Sequence, residues 1–385
     1  MSGKWRWKEN VGRISGRLLY FMYRYSAFFG VFSFGVKRND EADCTPLVAY
    51  KRNWFKWFCL LTRFLCSSLY CYFYGVWALR VSHGYLTMLF EMRLLGCLIC
   101  TICIFVLQLF YHQKIIDLVN GFFRLFGRIH VLSGGQNNGF GNRLEMILLS
   151  TKLLSLAYII CLLHLKVTPM AILTILCDIY TSVGTSMIMH ACFVGYLSIG
   201  VLYSKLNQFA YKEFHSGKPQ SLRESRAMRL RLEEYLDIYD EIQEISSKFQ
   251  RIFEVPLFLT LVQSLSTMAL ISYDVIIRNG FRNLNLWGLL IKMFVDVLLL
   301  TLAVHSAVSN FRVIRRLSLE TYFVNQSKHQ HRDMEMFLNR LHFNDLRVRP
   351  LGLFDVSNEL TLFFLSAMIT YLAFLLQYGV QLEQF

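Results

Sequence analysis

The chain has 385 residues, 55% of them hydrophobic, and a net charge of +14. Its mean hydropathy of +0.39 lies above the range of soluble domains and excludes that class. The basic excess needs no nucleic-acid partner if it is gathered on one side of a bilayer, where membrane lipid with anionic headgroups would face it.

Crossing a bilayer takes about 20 apolar residues. Seven runs approach or exceed that length: Trp54–Leu79, Leu86–Tyr111, Leu144–Leu165, Met170–Tyr203, Leu257–Ile277, Trp287–Asn310 and Glu359–Gly379. An eighth, Leu18–Val36, carries Arg24 and follows Arg17, so it reads as a helix lying in the membrane interface. No short apolar region followed by a small-residue cleavage site marks a signal peptide. With the amino terminus inside, the connections 1–53, 112–143, 204–256 and 311–358 hold 31 Lys and Arg, against 4 in the outer connections. Positive charge is retained on the cytoplasmic side of membrane proteins, so this asymmetry fixes the expected orientation. The expected fold is an all-α membrane protein with seven transmembrane helices. Its amino terminus is cytoplasmic and its carboxy terminus extracellular, opposite to the G-protein-coupled receptors. The expected layout is 1–53 amino-terminal with the interfacial helix, 54–203 spans one to four, 204–256 an inner segment, 257–310 spans five and six, 311–358 a second inner segment, and 359–385 the last span with a short tail.

Nine of the ten cysteines fall within expected spans and Cys44 is on the inner side, so no extracellular disulfide framework is available. Cys97, Cys100 and Cys103 share the spacing of an iron–sulfur ligand run but lie in an apolar helix, where packing is the simpler reading. In the inner segments, Gly134–Gly141 lacks the lysine and hydroxyl of a phosphate-binding loop and reads as a turn. His329 and His331 read as solvated loop residues, and Asn325 is a glycosylation acceptor pattern on the wrong side for modification. Met228, Leu232, Tyr235, Tyr239, Ile242 and Phe249 form a near-heptad seam. That helix must bury its apolar side against its own chain or at a subunit interface. Arg332–His342 carries a shorter face of the same kind. The two suggest a helical platform built from extensions of the spans.

Ionisable residues inside spans are functional candidates by default, because hydrocarbon penalises charge. The outer half of the bundle is expected to hold Glu91, Arg93, Asp178, Asp274, Lys292 and Asp296. Glu91, Arg93, Asp178, Tyr180, Tyr273 and Asp296 are the candidate ligand-pocket residues, since carboxylates beside aromatic faces suit a moderately apolar or cationic small molecule. Mutual neutralisation of Glu91 with Arg93 and of Lys292 with Asp296 is the plainer alternative. No nucleophile–base–orienter arrangement and no metal-ligand spacing are found, so neither catalysis nor a cofactor is expected.

The last run ends in Ser366–Gln381. At 100° per residue, Ser366, Thr370, Ala373, Gln377 and Gln381 fall in one narrow stripe on an otherwise apolar helix. Hydrocarbon cannot hydrogen-bond such a stripe, so another helix or water must.

Residues Thr370-Tyr371-Leu372-Ala373-Phe374-Leu375-Leu376-Gln377-Tyr378 resemble the carboxy-terminal signature of the insect gustatory receptors: Thr-Tyr, five hydrophobic residues, Gln and usually Phe. Tyr378 departs from that Phe but keeps an aromatic ring. Leu351–Val356 (LGLFDV) is similar to the Gly-Leu-Phe element that precedes the last span in that family. The resemblance implies a tetrameric, non-selective cation channel built from one or several kinds of family subunit. In it the last span lines the pore, inner helices form an anchor, and a small-molecule tastant binds among spans two to six. It places Gln377 on the conduction path and Ala373 or Phe374 at a dewetting gate. The aromatic, partly acidic outer half leans toward bitter compounds. A receptor signalling through a G protein and a solute transporter are the alternatives.

Overall fold

The computed structural model describes residues 2–38, 47–80, 85–133, 140, 142–161, 169–215, 222–273, 284–322 and 346–382. Helices occupy each of the seven apolar runs: α2 (Asn53–Arg80), α3 (Tyr85–Phe110), α5 (Arg143–Cys161), α6 (Pro169–His215), α7 (Leu222–Tyr273), α8 (Leu284–Tyr322) and α9 (Asn358–Leu382), with α1 (Ser2–Phe28) and α4 (His112–Leu132) in addition. Within them, 180–212, 233–272 and 286–313 are each long and apolar enough to cross a membrane unaided.

Three of the helices extend well past the apolar runs they contain. α6, α7 and α8 run 47, 52 and 39 residues without a break, far beyond a bilayer's need of about 20. α7 continues through Pro256, and the carbonyl of that proline accepts a 2.8 Å hydrogen bond from Thr260 Oγ1. α6 is the central post, packed against α2, α3, α4, α7 and α8. Its sequence from Val183 to Leu206 is predominantly apolar and is buried on nearly every face, as a helix without a continuous polar side must be. The α6–α8 crossing is made close by small residues. Gly200 lies against the Ala307 backbone, Asn310 Nδ2 donates to the Gly200 carbonyl at 3.1 Å, and Asn207 Nδ2 donates to the Asn310 carbonyl at 2.8 Å.

Two features depart from the expectation. The fold is not wholly helical: β1 (Phe34–Arg38) and β2 (Leu47–Lys51) form an antiparallel hairpin with Phe34 opposite Lys51. The outer side of β2 is closed by Asn120 of α4, whose amide takes the Ala49 N–H at 2.7 Å and gives to the Ala49 carbonyl at 3.0 Å. Segment 112–143, expected as a connection, contains α4, set at 77° to the end of α3. The apolar residues of α4, among them Ile115, Leu118, Leu125 and Ile129, are buried, partly against α7. Of the two burials expected for the near-heptad face of α7, its described residues Tyr235, Tyr239, Ile242 and Phe249 take the one inside their own chain. Tyr239 packs on Tyr203 and Phe311, and Phe249 packs on Tyr196 and Phe122. Arg128 fastens α4 to α7 through Asp237 and Glu241, both at 2.7 Å. Burial works against that guanidinium's charge, but the two carboxylates outweigh it and hold its pKa above the ordinary value.

Cys97 and Cys100 are buried, Gln263 Nε2 lies 3.1 Å from Cys97 Sγ, and among the described residues no group of side chains could hold a metal. Gly134–Gly139, Asn325, His329, His331 and the 332–342 face lie outside the described residues.

Candidate functional site

α9 enters after a tight turn, Pro350–Gly352, in which Leu351 and Gly352 both take positive φ, 54° and 69°. Asp355 returns to Arg349 at 2.6 Å, and that contact, ahead of a small opposing effect of burial, lowers its pKa. Glu254 of α7 accepts the Leu351 N–H at 2.9 Å, so the turn is tied to the long helix beneath it.

One edge of α9 is buried on α7 and α8. Leu360, Thr361 and Phe364 are inside, Thr361 Oγ1 lies 3.0 Å from Thr301 Oγ1, and Met368 Sδ lies 3.6 Å from Ser272 Oγ. The polar stripe lies elsewhere: Ser366, Thr370, Ala373 and Gln377 are all exposed on the single chain. On the helical wheel their mean direction is roughly 150° from the buried edge. The exposed apolar residues Leu362, Phe363, Ile369 and Phe374 flank them. Gln381 is on α9, but its side chain lies outside the described residues. Among the described residues the stripe therefore forms no seam within this chain.

A second polar assembly sits inside the bundle. Asp296 of α8 receives Lys152 Nζ and Ser155 Oγ on Oδ1, both at 2.7 Å, and Lys292 Nζ on Oδ2 at 2.8 Å. All four residues are buried. The ring of Phe193 lies 5.9 Å from Lys152 Nζ, and the buried His190 stands within electrostatic reach of all three charges, its Nδ1 without a hydrogen-bond partner. The expected Lys292–Asp296 pair exists, but it is two members of a triad whose third, Lys152, comes from α5. Two ammonium groups already satisfy Asp296, so a cationic ligand has no free charge to meet there.

The third assembly holds Tyr180. The guanidinium of Arg63, fully buried, lies 5.3 Å over the Tyr180 ring and donates to the Phe29 carbonyl. Gln108 Nε2 donates to the Gly30 carbonyl. Together they cap the chain where it leaves α1, and a cation at a helix carboxy terminus meets the negative end of its dipole. Gly30 is required at that exit: its φ is +65°, and a Cβ would stand 2.7 Å from Tyr180 Oη. Tyr180 Oη also lies 3.3 Å from Thr62 Oγ1.

Tyr180 and His190 are ten residues apart on α6, about 15 Å along the axis. The candidate residues Tyr180 and Asp296 thus belong to separate assemblies. Glu91 is exposed on α3, and the side chains of Arg93, Asp178 and Tyr273 lie outside the described residues. Ser155 and Gln108 were not singled out from sequence. Ser155 follows Lys152 by three residues, a spacing that puts both on one helix face and could have marked it. Gln108, a lone amide, offers no such signal.

A sequence model described as 7tm Chemosensory receptor matches residues 19–382. Gustatory receptor 93b of Drosophila melanogaster is 46% identical over 97% of this chain and 96% of its own length. The chain belongs to the insect gustatory receptor family. Gustatory receptor 93c of the same fly is 39% identical over 97% of this gustatory receptor and 98% of that one. A gustatory receptor for bitter taste, 93a, is 25% identical over 52% of each chain. Among solved structures, the insect olfactory receptor OR5 from Machilis hrabei has the same fold. It aligns with a TM-score of 0.66 at 15% identity, covering 94% of this chain and 99% of that one. OR5 in complex with eugenol aligns with a TM-score of 0.58 at 13% identity, over 97% of this chain and 98% of that one.

Proposed function

We propose that this gustatory receptor is one subunit of a tastant-gated, non-selective cation channel and that α9 lines its pore. The observation that carries the reading is the stripe of Ser366, Thr370, Ala373 and Gln377, left exposed roughly opposite the edge by which α9 is fixed to its own chain. Four such helices around a symmetry axis would turn hydroxyls and amides toward water and ions, and the apolar flanks toward one another. Gln377 and Gln381 then face the outer end of the path. Ala373 and Phe374 narrow it and gate by dewetting. The absence of charge on the stripe suits weak discrimination among cations.

The proposal includes the topology: seven spans, the amino terminus inside and the carboxy terminus outside, in the plasma membrane of a gustatory sensory neuron. The charge asymmetry of the connections supports it. A tastant pocket open to the outside, with Glu91, Arg93, Asp178, Tyr180, Tyr273 and Asp296 as its candidate surroundings, would bias closed and open states by binding one better. A small organic ligand is supported by the eugenol complex of OR5, and a bitter one by the relative described as a receptor for bitter taste.

Whole-cell recording with family co-subunits tests the reading. α9 has no native cysteine, so Ala373→Cys and Gln377→Cys report the path directly. A thiol-reactive cation is expected to reduce tastant-evoked current at least several-fold in both variants and not in the unsubstituted receptor. Currents indifferent to modification at both positions would remove α9 from the pore, and responses that instead require a G protein would support the receptor alternative.

A further inference from the structure

The start of α2 carries an aromatic and basic surface that neither the pore nor the pocket uses. Trp54 and Trp57 are 72% and 64% exposed, and Phe58 is stacked on Trp54 with ring centroids 5.6 Å apart. Exposed Leu61, Phe64 and Leu65 continue the apolar side up the helix. Cations crown it. Arg52 lies 5.4 Å from the Phe55 ring, Lys56 lies 5.8 Å from the Trp57 ring, and Lys37 of the hairpin lies 6.0 Å from the Tyr50 ring. Lys51 is within electrostatic reach of Lys56, and both are within reach of His112.

Among the described residues no carboxylate forms an ion pair with these cations. Residues 11–38 and 47–80 contain no Asp or Glu. The acidic residues 40, 41 and 43 lie outside the described residues. The carboxylate nearest in sequence on α4, Asp117, accepts from Gln113 at 3.0 Å. Tryptophans at the depth of lipid headgroups, apolar residues above them and unneutralised lysine and arginine below form the profile of a lipid site with a negative head.

We infer that Lys51, Arg52 and Lys56, with Trp54 and Trp57, bind the headgroup of an anionic glycerophospholipid of the inner leaflet. The site rests on the reading of α2 as a span entered from the inside. The hairpin makes it more than a basic stretch. Asn120 clamps β2 to α4, and β2 ends at Lys51, so the cations are held on a fixed frame beside the α3–α4 bend rather than on a loose tail. A lipid seated there would touch α2 and the hairpin.

Native mass spectrometry of the full-length receptor, purified in detergent and offered phosphatidylserine or phosphatidylcholine, tests the site. Each cation near an anionic surface is worth about five-fold in affinity. The receptor is expected to retain several-fold more phosphatidylserine. That preference should fall to parity in the triple variant Lys51→Gln, Arg52→Gln, Lys56→Gln, and survive in Lys248→Gln, whose lysine pairs with Glu244 at 2.6 Å. Equal retention of the two lipids by the unsubstituted receptor, or an unchanged preference in the triple variant, overturns the inference. Should the triple variant not fold, the unsubstituted receptor in nanodiscs suffices. Brominated phosphatidylserine should quench its tryptophan fluorescence more than brominated phosphatidylcholine at equal mole fraction, with the difference lost in Trp54→Phe, Trp57→Phe. Equal quenching by the two lipids, or none by either because a second subunit covers the face, overturns it too. Neither readout involves current, so failure here leaves the channel reading standing.

Discussion

Asp296 sets a test of charge balance inside the bundle. One carboxylate faces two ammonium groups, Lys152 and Lys292, and all three are buried. Removing the carboxylate strands both cations, and an uncompensated buried charge costs about 3–5 kcal/mol. Removing one lysine instead leaves a matched pair. Asp296→Asn is therefore expected to lose surface expression and melt well below the unsubstituted receptor, whereas Lys292→Met should keep both near the original level. Fluorescence-detected size-exclusion chromatography after graded heating measures the two together. Equal damage from both substitutions would mean that Lys292 is held by more than its charge. Arg63 solves the same problem by other means. Among the described residues no carboxylate pairs with it, and the Tyr180 face and the Phe29 carbonyl take its charge instead.

At the scale of the element, α7 decides how the receptor is braced. Phe249 meets Tyr196, Phe122 and Phe253, and its ring fills the space left by Gly195 of α6. Phe249→Ala is expected to cost about 3–5 kcal/mol. It would be read as a large fall in melting temperature, with Gln377 still reachable by thiol chemistry when substituted by cysteine. A small loss would mean that the platform is held mainly by its ion pairs. The α7 seam was legible because Tyr235, Tyr239, Ile242 and Phe249 repeat at nearly 3.5 residues, and only a helix repeats so. Its partner was not. The seam fits a subunit interface as well as α6, and only the placement of Tyr203 and Phe311 decides. α4 was written in the same 3–4 spacing of Ile115, Leu118, Leu125 and Ile129, but it lies between a span and a glycine-rich loop. The hairpin is hidden for a different reason: five-residue strands carry little alternation, and the amide that closes β2 is 71 residues away. The Lys292–Asp296 pair could be read from an i, i+4 spacing, while Lys152 joins it across 144 residues, which no local pattern encodes.

For the whole molecule, the question is what completes a chain that leaves Ser366, Thr370, Ala373 and Gln377 bare. In lipid, an exposed hydroxyl and amide stripe lacks hydrogen-bond partners, and each unmet group costs several kcal/mol. On the proposed channel reading, a lone subunit in a bilayer is an incomplete structure. A dimer joined stripe to stripe could satisfy the groups dry but would leave no path for ions. A closed ring of more subunits satisfies them with water and creates the path, and closed rotational symmetry is the ordinary solution for identical chains. Four is the number that the family resemblance implies. Single-molecule photobleaching of fluorescently tagged receptor, expressed alone and with family co-subunits, should give a four-step maximum in at least one condition. The charged variant Thr370→Glu should lower the yield of the full assembly or shift the channel toward selecting cations more strongly, because four carboxylates would then ring the axis. A population that never exceeds two steps under any condition, with Thr370→Glu behaving as the unsubstituted receptor, would mean that the stripe faces neither an axis nor a pore.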